Sequence, residues 1–323
     1  MSIVFLCISF FFISLVLTYS VKKFAIKKAF LDMPNHRSSH QVPTPYGGGV
    51  AIAVSWFVGI SYLYGVDELD ASLYFALMMG LFVFATSQID DIFELSVKTR
   101  LLVHSFVAIL GLYFLGGLHQ IDLSFYFVQN QIFTNVFAFF MIVYFINIYN
   151  FLDGIDGYGG SEAVFLGLAG FLLFGGSHFL LLVFCVLGFL VFNWQKASIF
   201  MGDAGSTLLG YNVAVFALYY QNMGSSILIW IVLFGVFFFD ATLTLFRRFK
   251  NGENIIHSHK KHAYQRLVQS GYSHQRVVIF AMLINVILFG LVNFISNMFF
   301  AFLLSLMLLY IMMKFVDAKK AFV

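Results

Sequence analysis

Residues 132–160 read IFTNVFAFFMIVYFINIYNFLDGIDGYGG, and this stretch decides how the whole chain is read. Positions 132–151 carry no charge, and as a helix they would cross a hydrocarbon core of ~30 Å. The end of the run then changes character. Asn147, Asn150, Asp153 and Asp156 appear together with Gly154, Gly157, Gly159 and Gly160. A packed core does not need these groups and lipid would reject them, so the run is expected to end in a binding site. If the stretch stays helical, Asn150, Asp153 and Asp156 step by three and share one side. The glycines let the backbone turn and approach a ligand. A glycine-rich turn with incidental aspartates is the plainer alternative.

The apolar signature recurs from end to end. The chain has 323 residues, 61% hydrophobic and 10% charged, with 44 phenylalanines and a mean hydropathy of +0.92. Eleven apolar runs can be drawn, at 3–21, 47–65, 70–88, 101–117, 132–151, 162–176, 178–194, 205–220, 225–246, 276–294 and 297–315. The sixth and seventh are short and poorly separated, so ten is the other count. The expected fold is an all-α polytopic membrane protein of about 10–11 transmembrane helices, forming one integral membrane domain over 1–323. The first run has no basic residues ahead of it and ends at Lys22-Lys23, as a retained anchor does. Cys7 and Cys185 lie inside apolar runs and are expected as buried free thiols.

Charge is distributed by side. All 18 Lys and Arg fall on one alternating set of segments, while the others show Asp67, Glu68, Asp70 and Asp122. Basic short loops stay cytoplasmic, which predicts the N-terminus outside and the C-terminus inside. The net charge of +3 follows from this topology and implies no nucleic acid. The unusual polar residues share the basic side, which predicts one active site assembled from several cytoplasmic loops.

Asp90-Asp91 ends the third run; the repulsion between the two is relieved by a divalent cation, a proton or a nearby cationic group, though a solvated loop end is the bland reading. Asn193-Trp-Gln-Lys-Ala-Ser-Ile-Phe-Met-Gly-Asp203 leads into Ala-Gly-Ser-Thr207. This sets a carboxylate at a helix N-terminus, where free amides suit phosphate and the acid suits Mg²⁺; simple capping explains it as well. His257-Ser-His259-Lys-Lys-His262-Ala-Tyr-Gln-Arg266 matches polyanionic phosphate better than zinc. Residues 32–49, DMPNHRSSHQVPTPYGGG, hold all three prolines and predict a fixed, non-helical segment. Asp240 is the one acid placed inside a run, and pairing with Arg247 or Arg248 is one expectation for it.

Taken together, these motifs resemble the polyprenyl-phosphate N-acetylhexosamine-1-phosphate transferase family. The matching stretches are D-x-P-N-x-R-S-x-H-x-x-P-T-P-x-G-G-G from Asp32, Asp90-Asp91, N-x-x-N-F-x-D-G-I-D-G from Asn147, N-W-x-x-A-x-I-F-M-G-D-A-G-S from Asn193 and H-x-x-H-A-Y-Q-R-L from His259. The resemblance implies transfer of a sugar-1-phosphate from a UDP-N-acetylhexosamine to undecaprenyl phosphate, with release of UMP, in the bacterial inner membrane. It implies Mg²⁺, with Mn²⁺ as a substitute, held by Asp203 with Asp91 as a second candidate. Asp90, Asp91, Asp153, Asp156, His259 and His262 are the catalytic candidates. His40, Lys98, Asn150, Asn193 and Arg266 are the substrate-binding candidates. The histidine motif looks most like enzymes that begin O-antigen or other surface-polysaccharide chains, on GlcNAc, GalNAc or a 6-deoxy sugar. The implied partners are the two substrates and the lipid bilayer, with a homodimer as the ordinary oligomeric default. The alternatives are a phospho-MurNAc-pentapeptide transferase and, in another class, a transporter with a charged vestibule. The transporter would need acids deep in several spans or broken helices at mid-membrane.

Overall fold

The computed structural model describes residues 3–34, 42–93, 95–255, 257 and 259–322. Within these residues the chain forms fourteen helices. The first half runs α1 (Ile3–Lys28), α2 (Gly49–Gly65), α3 (Ala71–Met78), α4 (Gly80–Phe93), α5 (Val97–Phe114) and α6 (Gln131–Leu152). It continues with α7 (Tyr158–Phe174), α8 (Ser177–Asn193), α9 (Asp203–Asn222), α10 (Ile227–Leu233) and α11 (Gly235–Lys250). The last three are α12 (Ala263–Gln269), α13 (His274–Phe294) and α14 (Met298–Lys319). Two antiparallel ladders of two-residue strands complete it: β1 (Leu31–Asp32) with β2 (Thr44–Pro45), and β3 (Ile121–Asp122) with β4 (Phe127–Val128).

Six helical segments are long and apolar enough to span a bilayer: α1, Ala71–Asp91, α5, α6, α13 and α14. The pair α10–α11, bent by 79°, adds a seventh if it counts as one span. Fewer segments therefore meet the length and apolarity of a span than the expected ten or eleven. The runs at 47–65, 162–176 and 178–194 form shorter apolar helices, α2, α7 and α8, and the run at 205–220 lies in the more polar α9. The bend at Phe234–Gly235 is a broken helix that continuous hydropathy did not reveal, because Phe234 takes ψ of 11° inside an unbroken apolar run.

The molecule is apolar on the outside as well as within. Val4, Phe5, Phe12 and Val16 of α1, and Leu283, Val286 and Ile287 of α13, are all exposed. A water-facing surface would not carry such faces along whole helices, whereas lipid accepts them. Helix α9 is the centre, packing on α2, α3, α4, α6, α7 and α10, with Leu208, Tyr211, Val215 and Phe216 buried. Close approach at its first turn depends on missing side chains. A Cβ on Gly49 would fall 2.5 Å from Gly205 Cα, so α2 and α9 can touch there only as glycine on glycine. That contact, with Gly48 and Gly49 N–H donating to the Phe200 and Met201 carbonyls at 2.9 and 2.8 Å, ties the start of α2 to the loop before Asp203.

Polar pairs fasten the remaining helices. Glu162 of α7 is fully buried and accepts from Asn285 Nδ2 of α13 at 2.6 Å. Asp240 is therefore not the only acid inside an apolar run; Glu162 escaped notice by standing at the first position of one. Nor does Asp240 pair with Arg247 or Arg248. It accepts from Ala263 N–H at 2.9 Å through both oxygens and from Thr244 at 3.1 Å, and lies 3.4 Å from His262 Nδ1. Arg247 instead forms a two-bond pair with Asp317, and Arg248 holds Glu253 and the carbonyls of Asn254, Ile255 and His257. Both arginines sit on the last turn of α11, two turns beyond Asp240, and run on toward the loop. Cys7 and Cys185 are buried and unpaired as expected.

Candidate active site

A cavity of about 440 Å³ opens where several helix ends meet. Its walls come from the β1–β2 ladder, the end of α4, the α6–α7 loop, the start of α9, α12 and the first residue of α13. Five aspartates line it: Asp32, Asp91, Asp153, Asp156 and Asp203.

Local sequence explains how each is delivered. Helix α6 stops at Leu152, because Asp153 leaves the helical region with ψ of 57°. The chain then turns through Gly157 at φ +73°, a left-handed conformation that suits glycine, and α7 begins. Asp153 and Asp156 are thus on a loop rather than on one helical face with Asn150, yet all three line the cavity. Asp153 Oδ1 accepts from Gly159 N–H at 3.0 Å, and Asp156 Oδ2 accepts from Ala197 N–H at 3.2 Å. Asn193 spans the gap by accepting from Gly157 N–H and donating to the Ile199 carbonyl, both at 3.0 Å. Asn150 Nδ2 donates to Ser206 at 3.0 Å and also hydrogen-bonds the Asp203 carboxylate.

The adjacent acids Asp90 and Asp91 part company. Asp90, only 9% exposed, is held by Arg100 at 3.1 Å and by Leu95 N–H at 2.6 Å. Asp91 faces the cavity. Its Oδ2 is buried without a hydrogen-bond partner among the described residues, although the Asp203 N–H approaches the carboxylate. Asp203 is 40% exposed to the cavity and has Arg100 at 3.9 Å. Burial pushes the Asp153 carboxyl up to about 7; the Gly159 N–H opposes this rise and the nearby Asp203 adds to it.

The orphaned Asp91 oxygen beside an open Asp203 fits a cation. Among the described residues no three His, Cys, Asp or Glu side chains form a ready-made metal cage. Mg²⁺ does not need one, since it takes one or two carboxylates and fills its shell with water and phosphate oxygens.

Other candidates lie elsewhere. Lys98 is exposed and off the cavity wall; Arg100, two residues on, is the cation that reaches the acids. His259 and His262 do not line the cavity. His262 is buried against Asp240, and burial pushes His259 down to about 4, helped by His262 and Arg248. Their motif instead contributes Tyr264 and Gln265 to the wall. Arg266 is buried and bonded to Asp317, the Lys320 carbonyl and Met313. His40 lies outside the described residues. The sequence reading missed Tyr46, Arg100, Tyr264, Gln265 and His274. The first four sit within or beside quoted motifs, whereas His274 is beyond all of them.

A helical membrane protein whose helix ends gather carboxylates and amides around one cavity has the chemistry of a site for charged groups. Comparison with known proteins narrows that class. The model of glycosyl transferase family 4 matches residues 73–221. A Bacillus subtilis (strain 168) protein named probable undecaprenyl-phosphate N-acetylglucosaminyl 1-phosphate transferase is 33% identical over 291 residues, covering 84% of this chain and 79% of its own. The undecaprenyl-phosphate alpha-N-acetylglucosaminyl 1-phosphate transferase of Escherichia coli (strain K12) is 27% identical over 296 residues, covering 84% and 78%. The chain belongs to this family, the polyprenyl-phosphate N-acetylhexosamine-1-phosphate transferases. A transferase family leaves the transporter reading without support, even though α10–α11 is broken as that reading required.

Proposed function

We propose that this protein transfers an N-acetylhexosamine-1-phosphate from a UDP-sugar to undecaprenyl phosphate at the cytoplasmic face of a bacterial membrane, releasing UMP. The names of the relatives favour N-acetylglucosamine as the sugar and undecaprenyl phosphate as the acceptor. A lipid-linked sugar made in this way would begin a surface polysaccharide such as O-antigen. The confinement of Lys and Arg to one set of segments supports the cytoplasmic assignment.

The observation that carries the reading is the Asp91 oxygen, buried and without a hydrogen-bond partner among the described residues, beside an open Asp203 at the head of α9. Asp203 and Asp91 would hold Mg²⁺. When bound, the ion neutralises diphosphate charge that this acidic wall would otherwise repel. The protein's own groups do the positioning. Asn150 and Ser206 fix the head of α9, and Gly159 N–H fixes Asp153. Arg100 pairs with Asp90, which does not line the cavity. An oxygen of the acceptor phosphate attacks the sugar-bearing phosphorus of the donor. The bond from that phosphorus to the oxygen shared with UMP breaks, and UMP leaves with the electron pair. Because charge is spread over phosphate oxygens, holding the two substrates in line supplies most of the catalysis.

The test is UMP release by purified protein in detergent with undecaprenyl phosphate, Mg²⁺ and a panel of UDP-N-acetylhexosamines. Mg²⁺-dependent UMP that disappears in Asp203→Asn supports the assignment. Folded protein giving no UMP with any donor overturns it.

A further inference from the structure

His274 opens α13 and follows every motif discussed above. Its ring lines the cavity and lies against Asp156. Nδ1 is 3.3 Å from Asp156 Oδ2 and also accepts from the Asp156 backbone N–H at 3.3 Å. Both contacts use the same ring nitrogen. Among the described residues, Nε2 makes no hydrogen bond within the protein.

Two features make this more than a histidine at a helix end. The first is charge: the described wall has five aspartates and no Lys or Arg, so His274 is its only side chain able to become a cation. The second is support. Eleven residues along α13 from His274, the buried Glu162–Asn285 bond clamps α13 to α7, the helix that begins just after Asp156. The ring thus sits on α13 and its aspartate on the loop just before α7, two elements that the Glu162–Asn285 bond fastens together. A ring with one nitrogen committed and the other free is the arrangement that orients an imidazole for a ligand.

We propose that His274 is a donor-binding residue, holding the nucleotide-sugar through Nε2 while Asp156 fixes the ring through Nδ1. This rests on the reaction proposed above. With Nδ1 accepting the Asp156 backbone N–H, a neutral ring carries its proton on Nε2 and donates it to an oxygen of the donor; in this tautomer it is the Asp156 backbone, not its carboxylate, that holds Nδ1. Asp156 then acts through His274, and Asn193 through the Gly157 turn that holds Asp156 in place.

Histidine isosteres separate the two nitrogens. Glutamine places its amide where Nε2 stands, able to donate an N–H there, and asparagine places its amide where Nδ1 stands, able to accept there. The measurement is equilibrium binding of UDP-N-acetylglucosamine with Mg²⁺ to the purified full-length protein, alongside donor and acceptor KM from UMP release. His274→Ala is expected to weaken donor binding about tenfold or more, the loss of one hydrogen bond to a charged or strongly polar partner. Acceptor KM should stay unchanged. His274→Gln should retain most of the donor affinity, and His274→Asn should behave like alanine. Equal donor affinity in wild type, His274→Ala and His274→Gln overturns the role of His274. So does a better rescue by asparagine than by glutamine, which would make the ring a support for Asp156 alone. Wild-type protein that binds no UDP-sugar and releases no UMP overturns the reaction itself, an outcome distinct from either of these.

Discussion

Two polar regions of this molecule look alike in sequence and differ in structure. One is the aspartate cavity; the other is the cluster around the histidine motif and the end of α14. In the second, the charged side chains are paired with neighbours, and of their buried atoms only Arg266 Nε and His262 Nδ1 lack a hydrogen bond among the described residues. Asp317 bridges Arg247 and Arg266 at 2.8 and 2.7 Å, Glu253 bridges Arg248 and Lys261 at 3.1 and 2.8 Å, and Asp240 braces the start of α12. Phe322 lies over Arg247, Lys261 and Arg266 at 5.3–5.6 Å. In the cavity Asp91 keeps an oxygen with no hydrogen-bond partner among the described residues. The difference separates architecture from function. Buried charges paired within the protein hold the fold, whereas an unpaired carboxylate oxygen on a cavity wall can take a ligand.

Substitutions should fall on either side of that line. The largest effect is expected at Asp203 and Asp91. Asparagine at either position should cut UMP release by about a thousandfold or more while thermal unfolding in detergent stays near wild type, the pattern for lost electrostatic stabilisation. Asp317→Ala should do the reverse. It leaves Arg266 buried without its carboxylate, which costs about 3 kcal/mol of stability, seen as a lowered Tm. Activity at low temperature should survive better than stability. An Asp317 variant with normal Tm and no activity would break the comparison.

The third expectation concerns pH. The Asp153 carboxyl is held near 7 against an ordinary value of 3.8, so the native state retains a proton that the unfolded chain releases. Its contribution to stability is full below about pH 4 and is lost as pH rises toward 7. Without divalent cation, the wild-type Tm should therefore fall more between pH 5 and pH 7.5 than that of Asp153→Asn. Parallel pH profiles for the two proteins would remove Asp153 as the titrating group. The smallest effect is expected at Lys98. Lys98→Ala should change stability by no more than about 0.5 kcal/mol and leave UMP release near wild type, whereas Arg100→Ala should impair it by freeing Asp90.

Much of the site was legible because its residues violate their surroundings. Asp153, Asp156 and Asp203 stand out against apolar runs, and no packing need explains them. The histidines looked equally exceptional, yet His262 is spent on Asp240, a residue on another helix. Lys98 and Arg100 were indistinguishable by type and position; only the path of α5 decides which one reaches Asp90. His274 gave no signal, since a histidine at the mouth of a span is commonplace.

Hydropathy by itself determined that this chain is a helical membrane protein, because unpaired backbone cannot be left in lipid and long uncharged runs have few other uses. Residue chemistry determined which helix ends carry clustered acids and amides. How many helices are truly long enough to span, where α10–α11 breaks, and which charges are answered by partners were decided only by the tertiary structure. Those outcomes depend on contacts between residues far apart in the chain, such as Asp240 with Ala263, Glu162 with Asn285 and Asp156 with His274. No local pattern in the sequence encodes such distances.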